Sequence, residues 1–297
     1  MDEDPGCITL AIPNFNGAKF LEETLRSLCA NGDAVRWWLQ DGCSTDTSLE
    51  IAGRYARPCD IIRTEPDTGQ VDALNRALGR MGGEIIGFIN SDDCLLADAA
   101  RCVLEIFRAE PGVDLVYGEV EWIDENSDST GFHSGDISSL EEVLDIYGVW
   151  WNRRQWVQPE VFFRRSLWER VGAFNTSYQL AFDYEYWTRC FRAGARVRKL
   201  PRRLARFRRH ARQKSVNATQ AAREIRAILA AHLANMLPDS RRRRLQMRLD
   251  YDVYQSGGHG PVSPQFESML AKNPGWLLVP EVRQRLWQSI TRRLRLK

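Results

Sequence analysis

Short apolar runs alternate with amphipathic segments along the first hundred residues. Three of these runs, at residues 8–12, 35–39 and 85–89, have the length of buried strands, and the last is wholly apolar. Between the strands, apolar residues recur at helical spacing, which predicts helices over about residues 18–30, 47–56 and 71–81. Because this alternation is typical of βαβ units, we expect an α/β fold with a mostly parallel central sheet and helices on both faces.

The pattern changes farther along the chain. Additional strands are predicted at residues 61–62, 115–117 and 161–163. Residues 183–193 predict a helix that ends at Gly194, and from residue 217 onward the pattern is helical and rich in arginine. We therefore expect an α/β domain over residues 1–215 and a basic, helical C-terminal extension over residues 216–297.

The net charge of +2 hides an asymmetry along the chain. Residues 201–297 contain 21 Lys and Arg against 6 Asp and Glu, a net charge of +15, which leaves −13 for residues 1–200. Such an imbalance points to an anionic partner near the basic part.

No apolar run approaches the roughly 20 residues of a membrane-spanning helix, and the acidic N-terminus carries no apolar signal segment. We expect a cytoplasmic protein.

Two adjacent carboxylates, Asp92 and Asp93, follow the buried strand at residues 85–89. Ligands of open α/β sheets bind beyond the carboxyl ends of the strands. Adjacent acids there repel each other unless a cation lies beside them, and Mg²⁺ and Mn²⁺ accept carboxylate and phosphate oxygens together. The alternative is a helix N-cap, although capping needs only one acid.

A second acid at a strand end is Asp41, in the turn that begins with Asp41 and Gly42. Its carboxylate can accept a hydrogen bond from the N3–H of a pyrimidine base, and Gly42 permits a close backbone approach. The alternative is an ordinary Asp-Gly turn in which Asp46 caps the next helix. A loop at residues 65–70 then leads into a helix N-terminus, where phosphates bind readily, unless this loop holds no ligand.

Asp183 lies near the predicted start of a helix and is followed by aromatic residues and Glu185. An acid in such surroundings can act as a general base with a raised pKa, and an aromatic face can stack against a sugar. The alternative is a helix cap beside a packed aromatic face. Farther on, a basic stretch at residues 206–215 contains His210, which can ligate a metal or hold a diphosphate with the arginines. A solvated charged face is the competing interpretation of this stretch.

In their order and spacing, these motifs resemble family 2 glycosyltransferases, the inverting enzymes of the GT-A fold. The resemblance covers about residues 8–215. It implies transfer of a sugar from a nucleotide-diphosphate sugar, with a UDP-sugar favoured, to a glycan or a lipid-linked acceptor. It also implies Mn²⁺ or Mg²⁺ as the cofactor and no nucleic-acid partner. For residues 1–215 it predicts the GT-A catalytic domain.

The resemblance assigns roles to individual residues. The nucleotide-sugar lies against Pro13, Asn14, Phe15, Asn16, Asp41, Glu65, Gly69, Gln70, Asn75, Asn90, Ser91 and Asp92. The cation is held by Asp93, with Asp92 and His210 as further metal ligands, and the diphosphate is enclosed by His210, Arg212 and Ser215. The acceptor side contains Gln158, Glu160 and Trp187, and the catalytic base is Asp183.

Two departures from the family pattern affect these assignments. The metal motif begins with Asn90 where the family has Asp, which leaves the ligand set open. The usual acidic pair at the base is Phe182 and Asp183 here, which leaves Glu185 as a rival catalytic residue.

Two other functions compete with this one. A nucleotidyltransferase of the same fold is the first alternative, but the glycine- and arginine-rich loop of those enzymes is missing after the first strand. A non-catalytic nucleotide-sugar-binding protein is the second. The basic C-terminal part, with its arginines at 241–244, 292, 293 and 295 and aromatic residues at 276 and 287, suits an anionic membrane surface. Pairing with the acidic N-terminal part, or a homo-oligomer interface, would account for the same charge.

Overall fold

The computed structural model describes residues 6–150, 152–214, 217–234 and 240–256, and of the C-terminal part residues 270–271, 274–280, 282–284 and 286–287. The strands are β1 (Ile8–Asn14), β2 (Val35–Asp41), β3 (Ile61–Thr64), β4 (Ile85–Phe88), β5 (Cys94–Leu95), β6 (Leu115–Ile123), β7 (Ser129–Ser134), β8 (Val161–Arg164) and β9 (Val197–Arg208). The helices are α1 (Ala18–Cys29), α2 (Ser48–Tyr55), α3 (Gln70–Arg80), α4 (Ala99–Ala109), α5 (Leu140–Val143), α6 (Arg165–Val171), α7 (Phe182–Arg192), α8 (Ala218–Ala234) and α9 (Ser240–Ser256).

One sheet organises the chain, with the strand order β3-β2-β1-β4-β8-β6-β9-β5 and with β7 paired to β6. Strands β3, β2, β1 and β4 run parallel, β8 lies antiparallel between β4 and β6, and β9 runs parallel to β6. Since parallel strands end at the same edge, the last residues of β1 and β2, Asn14 and Asp41, are register partners there. Asn90, Asp92 and Asp93 follow β4 and lie at the same edge of the sheet.

Helices cover both faces of this sheet, as the alternating pattern predicts. On one face α1 buries Leu21, Leu25 and Leu28 at the spacing of successive turns, together with the apolar side of α4. On the other face α3, α7 and α8 form a second cluster around residues such as Leu74 and Tyr184. The α/β fold class is therefore confirmed.

The C-terminal helices pack onto this framework. Ile228, Leu229 and Leu233 of α8 are fully buried in the same cluster as α3 and α7. Two arginines of α9, Arg244 and Arg248, form ion pairs with acids of the α5 region. Part of the positive charge of the C-terminal part is thus paired with the acidic N-terminal part, the interpretation that competes with a membrane surface.

Three local features differ from the sequence-based expectations. Strand β9 was not predicted, because it is rich in arginine and its buried and exposed positions do not alternate. The segment at residues 125–156, which has no clear periodicity, contains β7 and the short helix α5. Trp276, expected at a surface, is 3% exposed and packs against Tyr251.

Within the ranges described above, no helix is long and apolar enough to cross a membrane.

Candidate active site

A cavity of about 740 Å³ opens at the carboxyl ends of β1 and β4. The N-terminal ends of α3 and α7 and the segment after β9 complete its wall. Parallel strands and helix N-termini together favour an anionic ligand at such a position. Most of the residues singled out in the sequence meet here, although they come from segments that are far apart in the chain.

Asp92 and His210 lie at the surface of this cavity and contact each other. The distance from Nε2 of His210 to Oδ2 of Asp92 is 2.8 Å. Asp93 lies below them and is 1% exposed. Burial and the neighbouring charge of Asp92 hold the pKa of Asp93 well above its usual value. The charge of Arg208 and the hydrogen bonds to Asp93 act in the opposite direction but do not outweigh burial and Asp92.

The carboxylate of Asp93 is fixed from two sides. Its Oδ1 accepts a 2.9 Å hydrogen bond from the backbone N–H of Arg208, and its Oδ2 accepts one of 3.0 Å from Asn90. Asn90 in turn accepts a 2.7 Å bond from Gln70 at the start of α3. A carboxylate at position 90 could accept from Gln70 but could not donate to Asp93. The asparagine therefore links helix α3 to the acidic pair.

Arg208, whose role sequence reasoning missed, organises the loop that carries the pair. Its side chain is fully buried and donates to the carbonyl oxygens of Asp92 and Asp124, and it forms an ion pair with Glu23 of α1. An arginine inside an arginine-rich stretch has no distinguishing signal in one sequence. Only the pairing of β9 with β5 and β6 shows that this position faces inward.

The chemistry of the acidic site fits a divalent cation. The carboxylates of Asp92 and Asp93 lie beside the His210 imidazole at one end of the cavity, and a cation there would compensate the charge that the two acids hold in proximity. Over the described ranges, no group of three or more His, Cys, Asp or Glu side chains converges as a complete ligand cluster. A cation would therefore need further oxygen ligands from a substrate or from water.

The turn after β2 is built around Asp41, which is fully buried. Its carboxylate accepts hydrogen bonds from Nδ2 of Asn14 at 2.8 Å and from the backbone N–H of Ser44 at 2.9 Å. Asp41 itself is not among the cavity-lining residues; its neighbour Gly42 is. A Cβ at Gly42 would lie 2.7 Å from the carboxylate of Asp67, so the glycine permits that side chain to approach.

Pro13, Asn14 and Phe15 line the cavity as expected, and Phe15 leaves 65% of its surface exposed. Asn16 instead lies outside the lining and accepts a 2.8 Å bond from the backbone N–H of Thr45. An exposed aromatic ring at a cavity mouth is available for stacking against a planar ligand. Phe15 is the clearest example of such a ring at this site.

The loop before α3 divides into lining and supporting residues. Gly69 and Gln70 line the cavity, together with Asp67, which sequence reasoning did not assign to the site. Glu65 lies behind them and accepts a 3.0 Å bond from Gln40, and nearby Arg80 holds the pKa of Glu65 below its usual value.

Asn75 does not line the cavity. It forms two 2.9 Å hydrogen bonds with the backbone N–H and carbonyl of Phe174. Asn75 therefore ties α3 to the segment that precedes α7, and its position is structural.

The two rival acids of α7 face different surroundings. Asp183 lines the cavity, and burial raises its pKa to about 6. Glu185 is not among the lining residues and forms an ion pair with Arg189 at 2.8 Å. A base must lie within reach of the substrate proton and keep a pKa near the working pH. The geometry favours Asp183 over Glu185.

The three residues expected on the acceptor side have different surroundings in the structure. Gln158 lines the cavity and is 6% exposed, and among the residues that the structure describes no group hydrogen-bonds to either of its amide atoms. Glu160 is fully buried, accepts a bond from the N–H of Val157, and has its pKa raised by burial. Trp187 does not fit its expected contact with a sugar: it is 4% exposed and packs against Trp156 and Tyr186, because its side of α7 faces the core.

The cavity is completed by the segment after β9. His210 and Arg212 line it as expected, and so does Lys214. Ser91 lines it beside the acidic pair. Ser215, expected at the diphosphate, lies outside the described residues. The site thus combines acids for a cation, cations for an anion, an exposed aromatic ring and a separate half-buried acid.

Comparison with known proteins agrees with this architecture. The model of the family described as "Glycosyl transferase family 2" matches residues 9–178. The "PGL/p-HBAD biosynthesis glycosyltransferase" of Mycobacterium bovis and of Mycobacterium tuberculosis is 33% identical over 192 residues, which cover 62% of this chain and 69% of the relative.

Solved structures show the same fold at low identity. TarS of S. aureus in complex with UDP-GlcNAc superposes with a TM-score of 0.64 at 16% identity, covering 82% of this chain and 71% of that one. A mannosyltransferase from Pyrobaculum calidifontis in complex with GDP-Man and Mn²⁺ gives a TM-score of 0.58 at 19% identity, covering 96% of this chain and 85% of that one.

Proposed function

Because the chain belongs to glycosyl transferase family 2, we propose that it moves a sugar from a nucleotide-diphosphate sugar to a hydroxyl acceptor with inversion at the anomeric carbon. The observation that carries the proposal is that one cavity contains Asp183, with a pKa raised to about 6, and also the acidic pair beside His210. An acid that can take up a proton and a site that can hold a diphosphate are the two parts that this reaction requires.

The nucleotide end of the donor would lie against the ends of β1 and β2. The exposed ring of Phe15 stacks on the base in this proposal, while Asn14 and the turn at Gly42 contact the base and ribose. Asp41 holds both in place, because its carboxylate accepts hydrogen bonds from Asn14 and from the backbone N–H of Ser44 in the turn. A UDP-sugar is favoured, since TarS was solved with UDP-GlcNAc; a GDP-sugar is the alternative, since the mannosyltransferase was solved with GDP-Man.

The diphosphate would lie between the acidic pair and the basic segment after β9. Asp93, Asp92 and His210 would hold a divalent cation, Mn²⁺ or Mg²⁺, and Arg212 and Lys214 would contact the phosphates. Held there, such a cation would neutralise the negative charge that develops on the departing diphosphate. Ser215 remains a predicted contact of the diphosphate.

Asp183 performs the proton transfer in this proposal. It takes the proton of the acceptor hydroxyl as the hydroxyl oxygen forms a bond to the anomeric carbon. The bond from that carbon to the diphosphate oxygen breaks on the opposite face, so the nucleoside diphosphate leaves with the electron pair. A single displacement with one base inverts the configuration and needs no covalent intermediate.

The acceptor would enter beside Gln158, whose two amide atoms are available to a hydroxyl-rich molecule. Glu160 shapes this segment by accepting the N–H of Val157. A glycan or a lipid-linked glycan fits such polar contacts. We propose residues 1–215 as the GT-A catalytic domain, with the basic extension over residues 216–297 near an anionic membrane surface as a secondary proposal.

Donor binding and metal dependence test the function together. The purified protein is titrated with a panel of UDP-, dTDP- and GDP-sugars, with and without Mn²⁺, and its thermal shift and the release of nucleoside diphosphate are measured. We expect one donor to stabilise the protein only with the cation, and Asp93→Ala to lose this effect while keeping its fold. Glu50→Gln, at an exposed position of α2, is the control. Full turnover by the wild type in EDTA would refute the metal assignment.

A further inference from the structure

Helix α8 lies outside the residues that the family model matches, yet it forms part of the cavity wall. Ala221 and Ile225 line the cavity, and Glu224 lies between them on the same side of the helix. One turn farther along, Ile228 and Leu229 are fully buried against the domain. This spacing of three and four residues places one face of α8 against the cavity at Ala221 and Ile225 and against the core one turn farther on.

The carboxylate of Glu224 holds three successive backbone N–H groups. Its Oε1 accepts from Gln179 at 3.2 Å, and its Oε2 accepts from Leu180 at 2.8 Å and from Ala181 at 2.9 Å. The side chain of Gln220, one turn earlier in α8, donates to the same carboxylate at 3.0 Å. Four donors thus fix the carboxylate and the segment that it binds.

These N–H groups belong to the three residues immediately before α7, the last of which is its N-cap. The first N–H groups of a helix have no partner within the helix, and an N-cap side chain normally accepts from them. The N-cap of α7 is Ala181, which has no side chain that can accept. In the first turn the N–H of Tyr184 donates instead to the carboxylate of Asp183 at 2.7 Å. Glu224, from another helix, fixes the three residues that lead into this turn, and its negative charge suits the positive end of the helix dipole.

The segment that Glu224 binds leads directly to Asp183. Gln179, Leu180 and Ala181 line the cavity, and Asp183 follows in the first turn of α7. We propose that Glu224 is a positioning residue for Asp183, so that helix α8 completes the catalytic site. This inference rests on the proposed glycosyl transfer and adds a part of the chain to which the family resemblance assigns no role.

Charge supports the same assignment. Burial acts to raise the pKa of Glu224, but the N–H donors outweigh it and hold the pKa below its usual value, so the group is ionised near neutral pH. Burial is the main reason that the pKa of Asp183 is raised, and the charge of Glu224 adds to it. Other charged and titratable groups on the surrounding elements include Glu185, Arg189, His232, Asp92, His210, Arg212 and Lys214.

The test compares Glu224→Ala, Glu224→Gln and Arg223→Ala, the last at an exposed position of the same helix. Because a small displacement of a base is costly, we expect Glu224→Ala to lower kcat by roughly 10- to 100-fold with little change in the KM of the donor. Glu224→Gln keeps one acceptor oxygen and should lose less, and Arg223→Ala should behave as the wild type. The ascending limb of the pH profile should move to lower pH in both Glu224 variants.

A second measurement separates positioning from loss of fold. Hydrogen exchange of the amides of Leu180 and Ala181 should accelerate in Glu224→Ala while the amides of β1 keep their protection. Unchanged kcat, pH profile and exchange in both Glu224 variants, with an active wild type, would overturn this inference alone. A wild type that transfers no sugar from any nucleotide-sugar would overturn the proposed function instead, and the exchange result would still test the contact of Glu224 with residues 179–181.

Discussion

The Nδ2 atom of Asn90 donates a 3.0 Å hydrogen bond to the Oδ2 atom of Asp93. The same side chain accepts a bond from Gln70, so the amide uses both of its ends. Where the family motif has an aspartate, this chain therefore has a group that supports the buried acid instead of adding a third negative charge. The two hydrogen bonds that run from Gln70 through Asn90 to Asp93, the Asn90 relay, account for this departure from the family pattern.

Asn90→Asp tests the relay. The substitution removes the donor to Asp93 and places another carboxylate against it, so we expect the free energy of unfolding to fall by about 1–3 kcal/mol in the absence of a cation. Urea denaturation with and without Mn²⁺ measures this, and Mn²⁺ should restore part of the loss. Equal stability of Asn90→Asp and the wild type in EDTA would show that the relay contributes nothing.

Arg208→Met tests the buried cation under the site. The substitution leaves Glu23 without its ion-pair partner and frees the carbonyl oxygens of Asp92 and Asp124. Breaking a buried pair in this way costs about 3–5 kcal/mol, and we expect the lower end because Glu23 is one-third exposed. The exposed Arg54→Met is the control, and its unfolding midpoint in urea should stay within experimental error of the wild type.

Phe15→Ala tests the proposed stacking on the base. Since stacking of a base on an aromatic ring contributes about 1–3 kcal/mol, we expect the KM of the donor to rise roughly tenfold while kcat changes little. Phe132→Ala is a matched control, because Phe132 is 61% exposed and is not among the cavity-lining residues. If both variants have the KM of the wild type, the base does not lie on Phe15.

The pH dependence of transfer follows from the raised pKa of Asp183. A base acts in its deprotonated form, so kcat should rise with pH and reach half of its plateau near pH 6. Below that pH the protonated carboxyl cannot accept the acceptor proton, and activity is lost. Initial rates from pH 4.5 to 8.5 at saturating donor measure the limb, and a plateau that extends unchanged to pH 4.5 would be inconsistent with this base.

Much of the fold and part of the site could be predicted from one sequence. The apolar runs of β1, β2 and β4 mark where parallel strands end, and ligand-binding residues follow such ends, so Asn14 and Asp92 were assignable. The helices on both faces followed from their periodicity. The fold class and the glycosyltransferase family were both predicted correctly.

The remainder depends on contacts between distant segments. Arg208 is one arginine among many, and only the pairing of β9 turns it inward. Trp187 was expected to face a sugar, but which side of α7 is buried is decided by neighbours such as Trp156. Glu224 of α8 binds the backbone of the segment that leads into α7, a contact that carries no local sequence signal. Long-range register and the direction of a helix face are set by packing, which local patterns do not encode.

The most direct test of the central claim compares Asp183→Asn with Glu185→Gln. Both substitutions remove a charge from the same turn of α7, but only Asp183 lines the cavity. With the donor found in the thermal-shift panel, kcat for transfer and Kd for the donor are measured in the presence of Mn²⁺. We predict that Asp183→Asn lowers kcat by roughly 100-fold or more at an unchanged Kd, while Glu185→Gln stays active. An active Asp183→Asn beside an inactive Glu185→Gln would contradict the account.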